Sequence, residues 1–318
     1  MSKKISLVIG NGFSINFNNF YEPSSYKNTN EPLQWNVPTP GNSGQLIDHL
    51  PSLNKLRKAH PELGSFDLFK MALDENHCKA INEKIFDVKI ECRHYLTIAF
   101  SYYSLLQKKL LTDDWLWFRW LELYKSKLVS ISSYNYDLLM ETLLDKMKVK
   151  YVDITKSECN DSLILHKPHG SCSYEIHPRT VFTKRQYPLS FKMDDCDATI
   201  VQLPYDELIT PRILPLSIIP NEEGFYHNHT SIGNQNRLFN RSLNKNTHCL
   251  FIGNSYMDCD RGEINEVLSS LPPSCKVIVA NPYPSVDFIE KLKSMNLEYE
   301  CWTSLHGPVD ENHQLILL

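Results

Sequence analysis

Four short segments, far apart in the chain, combine apolar runs with glycine, amide, hydroxyl and imidazole groups. They are Val8–Ser14 (VIGNGFS), Ser133–Asp137 (SYNYD), Lys167–Ser171 (KPHGS) and Phe251–Ser255 (FIGNS). Each follows an apolar run, as strand ends do in an open α/β sheet, where ligands bind at the carboxyl edge. Glycine turns gathered with an amide and an imidazole favour a bound nucleotide with a reacting centre beside it.

The first of these segments has the features of a phosphate-binding turn. Gly10-Asn11-Gly12 follows a predicted strand, Ile5 to Ile9, and precedes a predicted helix. Two glycines let backbone amides approach a pyrophosphate, and a helix N-terminus favours the anion. Ile15 stands where the dinucleotide fingerprint has its third glycine, which argues against a dehydrogenase. A strand-to-helix turn without any ligand explains this segment alone equally well.

Asn135 and His169 are the candidate reacting groups. Asn135 ends an apolar run before a predicted helix, Leu138 to Lys146, for which Asp137 is the predicted N-cap. A carboxamide can hold a water against a sugar, or simply satisfy backbone groups. An imidazole, with an ordinary pKa of about 6.5, is a natural base at neutral pH, although His169 alone is equally a hydrogen-bonded turn residue. His166, three residues earlier, is an alternative base.

Two further strand ends and one histidine pair complete the candidate set. Gly253-Asn254-Ser255 repeats the pattern of a strand followed by small residues, and Asn281 follows another predicted strand at 277–280. An asparagine at such a strand end can bond a ribose. His227 and His229 resemble a metal pair, but no third ligand stands at a useful spacing, so a loop pair without metal is favoured.

Composition narrows the class of protein. The formal net charge of the 318 residues is −4, which argues against nucleic acid or an anionic membrane as the main partner. No apolar stretch reaches the roughly 20 residues of a membrane-spanning helix, and the first apolar run is too short for a secretory signal. The nine cysteines form no Cys-x-x-Cys pair. We therefore expect reduced core cysteines in a cytoplasmic protein, without a disulfide framework or zinc ribbon.

The order of elements predicts an α/β fold, a Rossmann-like parallel sheet with helices on both faces plus a helical insertion. One domain is expected over residues 1–318. Residues 18–45, rich in Asn, Pro and Ser, are predicted to be a long loop that can act as a lid. Residues 46–126 are predicted to be the helical insertion, with its tryptophan-rich stripe in the core. Residues 172–230 give no clear pattern.

The end of the chain gives the clearest topology. Strands near 247–252, 277–280 and 298–302 alternate with helices, as in a parallel sheet with right-handed crossovers. Asp260-Arg-Gly-Glu263 fits a capping box that starts the first of these helices.

The order and spacing of the segments resemble the sirtuin (silent-information-regulator) superfamily. The matching positions are Gly10, Gly12 and Ser14 as Gly-x-Gly-x-Ser, Asn135 and Asp137 at a strand end, His169-Gly170, Gly253 and Ser255 as Gly-x-Ser, and Asn281. Two features depart from the sirtuin deacylases: the zinc ribbon and the arginine-containing stretch after the first turn are missing. The Ser-Tyr-Asn-Tyr-Asp strand end and the helical insertion are closer to the bacterial sirtuin-like NAD hydrolases of antiphage defence.

The resemblance implies a function and a set of roles. NAD is the expected substrate, cleaved to nicotinamide and ADP-ribose without a metal, in an antiphage abortive-infection effector. Asn135 and His169 are the expected catalytic residues. The expected NAD-binding residues are Gly10, Asn11, Gly12, Phe13, Ser14, Asp137, Gly253, Asn254, Ser255 and Asn281.

The resemblance also implies partners and leaves alternatives open. A homo-oligomer is expected, with a separate ATPase or sensor protein as a further partner and no direct contact with membrane or nucleic acid. A non-catalytic sensor of NAD or ADP-ribose is one alternative function. A protein deacylase that lacks the zinc ribbon is another.

Overall fold

A parallel sheet forms the centre of the computed structural model, which describes residues 3–21, 33, 35–41, 44–156, 162–177, 199–222 and 230–318. The strands of the described residues are β1 (Ile5–Ile9), β2 (Leu128–Ser133), β3 (Tyr151–Val152), β4 (Leu163–His166), β5 (Gly170–Ile176), β6 (Ile200–Gln202), β7 (Pro215–Ser217), β8 (His248–Ile252), β9 (Lys276–Ala280) and β10 (Tyr299–Trp302). Seven of them pair in the order β10-β9-β8-β1-β2-β4-β3, and each pair is parallel.

Helices cover both faces of this sheet. The helices of the described residues are α1 (Asn11–Tyr21), α2 (Pro51–Ala59), α3 (Ser65–Met71), α4 (Glu75–Ala80), α5 (Ile85–Leu110), α6 (Leu116–Tyr124), α7 (Leu139–Lys146), α8 (Thr230–Leu243), α9 (Asp258–Ser270) and α10 (Val286–Ser294). Alternate residues of a strand point to opposite faces. Leu7 and Ile9 of β1 accordingly pack with α1, α6 and α7, whereas Val8 packs with α8, α9 and α10. The predicted α/β, Rossmann-like fold is confirmed.

The strand order reverses between β1 and β8. The chain passes from β1 to β2 on one side, and β8, β9 and β10 lie on the other. In open α/β sheets such a reversal opens a crevice beyond the carboxyl ends of the strands, where ligands bind. The turns after β1 and β8, which contain the glycine segments, therefore lie at this crevice.

The segment predicted as a helical insertion contains α2 to α6. The longest, α5, packs with α2 and α3 around a second apolar cluster. Trp115 and Trp120 are fully buried against the sheet, so the prediction that the aromatic stripe is core is confirmed.

The predicted loop at 18–45 begins later than expected, because α1 continues to Tyr21. Near the other end of this segment, the amide of Leu46 donates to the carbonyl of Val37 at 2.8 Å. Residues 22–32, 34 and 42–43 lie outside the described residues, and the proposed lid lies largely among them.

A small antiparallel sheet, in the order β6-β5-β7, occupies part of the region that gave no sequence pattern. It follows β4 directly, so the Pro168-His169 turn connects the two sheets. Gly170 begins β5 with φ +74°, and a Cβ there would clash with the carbonyl of Leu216. This glycine is required by the approach of β7, because other residues rarely adopt such a φ.

Candidate functional site

Two glycine turns contact each other backbone to backbone at the strand reversal. The amides of Gly10 and Gly12 donate to the carbonyls of Ile252 and Gly253, both at 2.9 Å. A Cβ on Gly12 would lie 2.6 Å from the Cα of Gly253, and Gly253 has φ +61°. The glycines thus permit a close approach of the turns after β1 and β8, and the two amides predicted to bind a pyrophosphate have partners within the chain.

The neighbours of these glycines divide between core and surface. Phe13, predicted as a binding residue, is buried with its ring centroid 4.9 Å from that of Trp115. Asn11, at the first position of α1, is exposed, and so is Ser255 after β8. Asn11 and Ser255 are therefore the members of the two turns that a ligand can reach most readily.

Ser14, Asn135 and Asp137 form one hydrogen-bonded cluster. The hydroxyl of Ser14 donates to Oδ2 of Asp137 at 2.7 Å. The Nδ2 of Asn135 donates to Oγ of Ser14 and to the carbonyl oxygen of Gly10, both at 3.1 Å. These residues join the end of β2 to the start of α1, and the cluster fixes the orientation of the Asn135 amide.

Buried charged side chains next to α7 support this cluster. Asp137 accepts the amide of Leu139 at 3.1 Å. The predicted N-cap at Asp137 is wrong, because α7 begins at Leu139 rather than at Leu138 and has Leu138 as its N-cap. Lys167, buried at the end of β4, donates to the carbonyl of Asp137 at 2.5 Å and to Oε1 of Glu141 at 2.9 Å. Burial raises the pKa of Glu141, against the opposing effect of Lys167.

The residues predicted to hold the adenosine side also bond one another. The Nδ2 of Asn281 donates to the carbonyl of Asn254 at 2.9 Å, and its Oδ1 accepts the amide of Tyr283 at 2.9 Å. Asn254 uses its Oδ1 to accept the amide of Tyr256 at 2.8 Å. Its buried Nδ2 has no partner in the described part of the chain. Asn281 thus ties two strand-end turns together, while Asn254 keeps one donor for a ligand.

His169 lies between aromatic rings and two carboxylates. Its ring centroid is 5.1 Å from that of Tyr134, and its Nε2 is 3.6 Å from both Oδ1 of Asp260 and Oε2 of Glu263. Burial lowers the pKa of His169, but hydrogen bonding and charge from Glu263, the charge of Asp260 and a backbone bond to Tyr134 outweigh it. The net pKa lies above its ordinary value.

His166 has a different environment. It is buried, its Nδ1 is 3.1 Å from Oγ of Ser132, and its ring stacks on Phe239 at 5.4 Å. Burial, with a smaller contribution from the charge of His169, lowers its pKa to about 3. A neutral imidazole with so low a pKa is a weak base at neutral pH. Between the two histidines that the sequence left open, the structure favours His169.

A cavity of about 660 Å³ opens beside His169, between α8 and α9. Its lining includes Tyr134, His166, His169, Asn236, Glu263 and Glu266. Asn135 is not part of this lining. The side chains of residues 134–136 alternate: Tyr134 and Tyr136 contact His169, whereas Asn135 points toward Gly10 and Ser14. The candidate amide and imidazole therefore lie on opposite sides of this short segment.

Asp260 and Glu263 are the site residues that the sequence patterns assigned to another role. The predicted capping box is wrong, because α9 begins at Asp258 with Met257 as its N-cap. Both carboxylates therefore belong to the body of the helix. Residues three apart lie on the same face of a helix, and here that face is directed at His169. The Asp-x-x-Glu spacing was the available signal.

Other predictions can be placed only within the described residues. There, no group of three His, Cys, Asp or Glu side chains is arranged to hold a metal ion; His227 and His229 lie outside the described residues. Among the described helices, none has the length and apolarity to cross a membrane. The cysteines of the described ranges are free, and burial raises the pKa of Cys172 to about 11.

The fold and the site define a Rossmann-like α/β protein with an imidazole–carboxylate group at the carboxyl edge of its sheet. Comparison with known proteins adds no family to this description: no protein-family model and no curated protein matches the chain.

Proposed function

We propose that the protein hydrolyses the N-glycosidic bond between nicotinamide and ribose in NAD. The observation that carries the proposal is the convergence of Ser14, Asn135 and Asp137, three residues of the sirtuin-like pattern, in one hydrogen-bonded cluster. This cluster lies beside the strand reversal, where an open α/β sheet binds nucleotides.

The chemistry requires stabilisation of a positive ribose and delivery of water to it. A water oxygen bonds to the ribose carbon, its proton passes to a base, and the electron pair of the broken bond neutralises the nicotinamide nitrogen. Asn135 has both of its hydrogen bonds in the described residues on Nδ2, so its Oδ1 is the end that can face a ribose hydroxyl or water. His169 lies on the other side of residues 134–136, so the proposal requires the ribose to span this segment. His169 is then the proposed base, and the nearby carboxylates favour positive charge.

The binding residues take revised roles in this proposal. Gly10, Gly12 and Gly253 shape the two turns, while Asn11 and Ser255 are exposed for contact with the pyrophosphate and adenosine side. Ser14 and Asp137 orient Asn135 instead of contacting the pyrophosphate. NAD is a substrate here, and the proposed hydrolysis needs no redox change.

The direct test is incubation of the purified protein with NAD, alone and with lysate of phage-infected cells. Chromatography then measures nicotinamide and ADP-ribose, and separates the latter from a cyclised product. We expect Asn135→Ala and His169→Ala each to lower nicotinamide release by at least about 100-fold, the scale of a lost acid–base or orienting group. Asn76→Ala and His306→Ala replace exposed residues and should keep full activity. Absence of nicotinamide release in both conditions would reject the proposal.

The biological setting follows from the same activity. We propose that the protein acts in the cytoplasm as an oligomeric effector of antiphage defence, controlled by a separate sensor or ATPase partner. Infected cells that express the wild-type chain should lose NAD and release fewer phage than cells that express His169→Ala. Equal phage yields with equal NAD levels would contradict this role.

A further inference from the structure

The carboxylates of Asp260 and Glu263 approach the same nitrogen of His169. Oδ1 of Asp260 and Oε2 of Glu263 are each 3.6 Å from Nε2. The two oxygens are buried, and apart from the imidazole neither has a hydrogen-bond partner among the described residues. A buried carboxylate oxygen without a partner is destabilising unless it meets a compensating charge or donor. The imidazole is the group placed to supply both.

The packing around His169 keeps the ring in this position. Tyr134 meets it edge-on, with an interplanar angle of 88°, and the ring of Tyr136 lies 6.2 Å away at 36°. Both tyrosines are buried, so the imidazole presents its Nε2 to α9 with little freedom to turn. Asp260 and Glu263 lie on the one face of α9 that is directed at this nitrogen.

We propose that Asp260 and Glu263 are positioning residues for His169, and that the three side chains form one imidazole–dicarboxylate unit. Two anions close to one nitrogen repel each other unless a proton and its charge lie between them. The unit therefore stabilises the imidazolium form. This inference deepens the proposed function and rests on it for its catalytic meaning. The physical coupling among the three groups does not depend on NAD.

The other ionisable groups of the cavity are occupied elsewhere. Glu222 is paired with Arg93 at 2.6 Å and with Lys89 at 2.5 Å. Glu266 accepts Asn236 at 3.4 Å, and Asp258 is paired with Arg261 at 3.1 Å.

The other ionisable groups that line the cavity are either uncharged at neutral pH or bonded within α8. The lowered pKa of His166 keeps that ring neutral, and burial raises the pKa of the Cys259 thiol to about 12. Arg237, on α8, donates to Asn234. Glu263 and Asp260 are therefore the charges that act on His169.

In the proposed hydrolysis this unit has a defined role. Neutral His169 accepts the proton of the attacking water at Nε2, the nitrogen that faces Asp260 and Glu263, and the imidazolium that results is stabilised by both carboxylates. Because the carboxylates raise the basicity of the ring, their loss weakens the base and also shifts the pH at which it becomes neutral. The acidic limb of a pH–rate profile should then move to lower pH, with a lower kcat.

The test is an NMR titration of the full chain labelled at histidine carbons, with His169 identified by the signal that His169→Gln removes. We expect the pKa of His169 to be above its ordinary value in the wild type and to fall by about one unit or more in Glu263→Gln and Asp260→Asn. Glu266→Gln, one turn further along α9, is the matched control and should leave it unchanged. Equal titration of His169 in Glu263→Gln and Glu266→Gln would overturn the proposal.

Further measurements separate this inference from the proposed function. Thermal unfolding of each variant identifies any loss of fold, and Glu263→Asp should restore part of the shift because it keeps the charge. If the NMR pKa moves but NAD is not consumed, the coupled unit stands and the proposed function fails. If NAD is consumed and the NMR pKa does not move, the hydrolase stands and the unit fails.

Discussion

Replacement of Ser14 by alanine tests two properties of the hydrogen-bonded cluster: its contribution to stability and its role in NAD turnover. The Ser14 hydroxyl is fully buried, donates to Asp137 at 2.7 Å and accepts from Asn135 at 3.1 Å. A hydrogen bond to a charged group contributes about 1.5–3 kcal/mol, and a neutral one about 0.5–1.5 kcal/mol. Ser14→Ala removes one of each, so we expect the free energy of unfolding to fall by about 2–4.5 kcal/mol.

The matched control is Ser101→Ala, another buried serine. Its hydroxyl donates to the carbonyl of Thr97 at 2.7 Å, within α5. That carbonyl also belongs to the helix ladder, so the loss of the hydroxyl should change stability by less than about 1 kcal/mol. Urea unfolding followed by circular dichroism measures both variants. If Ser14→Ala loses no more stability than Ser101→Ala, the cluster is not a strong structural element.

The same variant also tests the site. Ser14→Ala removes one of the two acceptors that hold Nδ2 of Asn135, and the carbonyl of Gly10 remains. We expect turnover of NAD to fall by about 10- to 100-fold while the protein stays folded at low temperature, because a misplaced orienting group costs rate. Unchanged turnover in a folded Ser14→Ala protein would refute the orienting role.

Two further predictions concern the turn glycines and His166. Gly253→Ala should lower the free energy of unfolding by about 2–5 kcal/mol, because a Cβ there would lie within 2.5 Å of the neighbouring turn at φ +61°. Gly262→Ala, with no described atom within 4 Å of its Cβ, should raise stability by about 0.5–1 kcal/mol; losses of equal size in urea unfolding would contradict this. His166 has a folded pKa of about 3, below its ordinary value, so its neutral form stabilises the fold at neutral pH and this stability is lost as pH falls from about 6.5 toward 3. The wild type should lose about 2 kcal/mol more than His166→Gln between pH 7 and pH 5, and equal losses would show that His166 does not resist protonation.

The central sheet could be predicted because its strands are buried on both faces. Such strands appear in the sequence as short apolar runs, and β1, β8 and β9 lie within one residue of the predicted bounds. Their parallel direction could be predicted too, since strands that alternate with helices form parallel sheets. Hydrophobic burial over a few adjacent residues is a local signal, and a single sequence is sufficient to detect it.

The small antiparallel sheet could not be predicted in this way. β5 carries Gly170, Ser171 and Ser173 among its residues, and β7 begins with Pro215. Neither has the β-branched alternation of an ordinary strand. Their pairing depends on the approach of Leu216 to Gly170, a contact between residues 46 positions apart in the sequence. No local pattern records such a contact.

The sequence could select candidate site residues but not their arrangement. Residue type and position at strand ends selected Ser14, Asn135, Asp137 and His169. Whether a side chain points to one side of a segment or the other depends on backbone geometry at the strand end, and the alternation from Tyr134 to Tyr136 decides it here. The sequence therefore led to one shared pocket, whereas the structure has a hydrogen-bonded amide cluster on one side and the His169 cavity on the other.

The acidic pair of α9 shows how a small change in a helix boundary alters the function of a motif. With Asp260 as the first capping residue, the Asp-x-x-Glu side chains would direct their oxygens to backbone amides at the start of the helix. With the helix starting at Asp258, the amide of Asp260 donates to the carbonyl of Met257 at 2.9 Å. The side chains of Asp260 and Glu263 then project from one face toward His169. Two residues of additional helix thus convert a local capping signal into an electrostatic partner for an imidazole some 90 positions earlier in the chain.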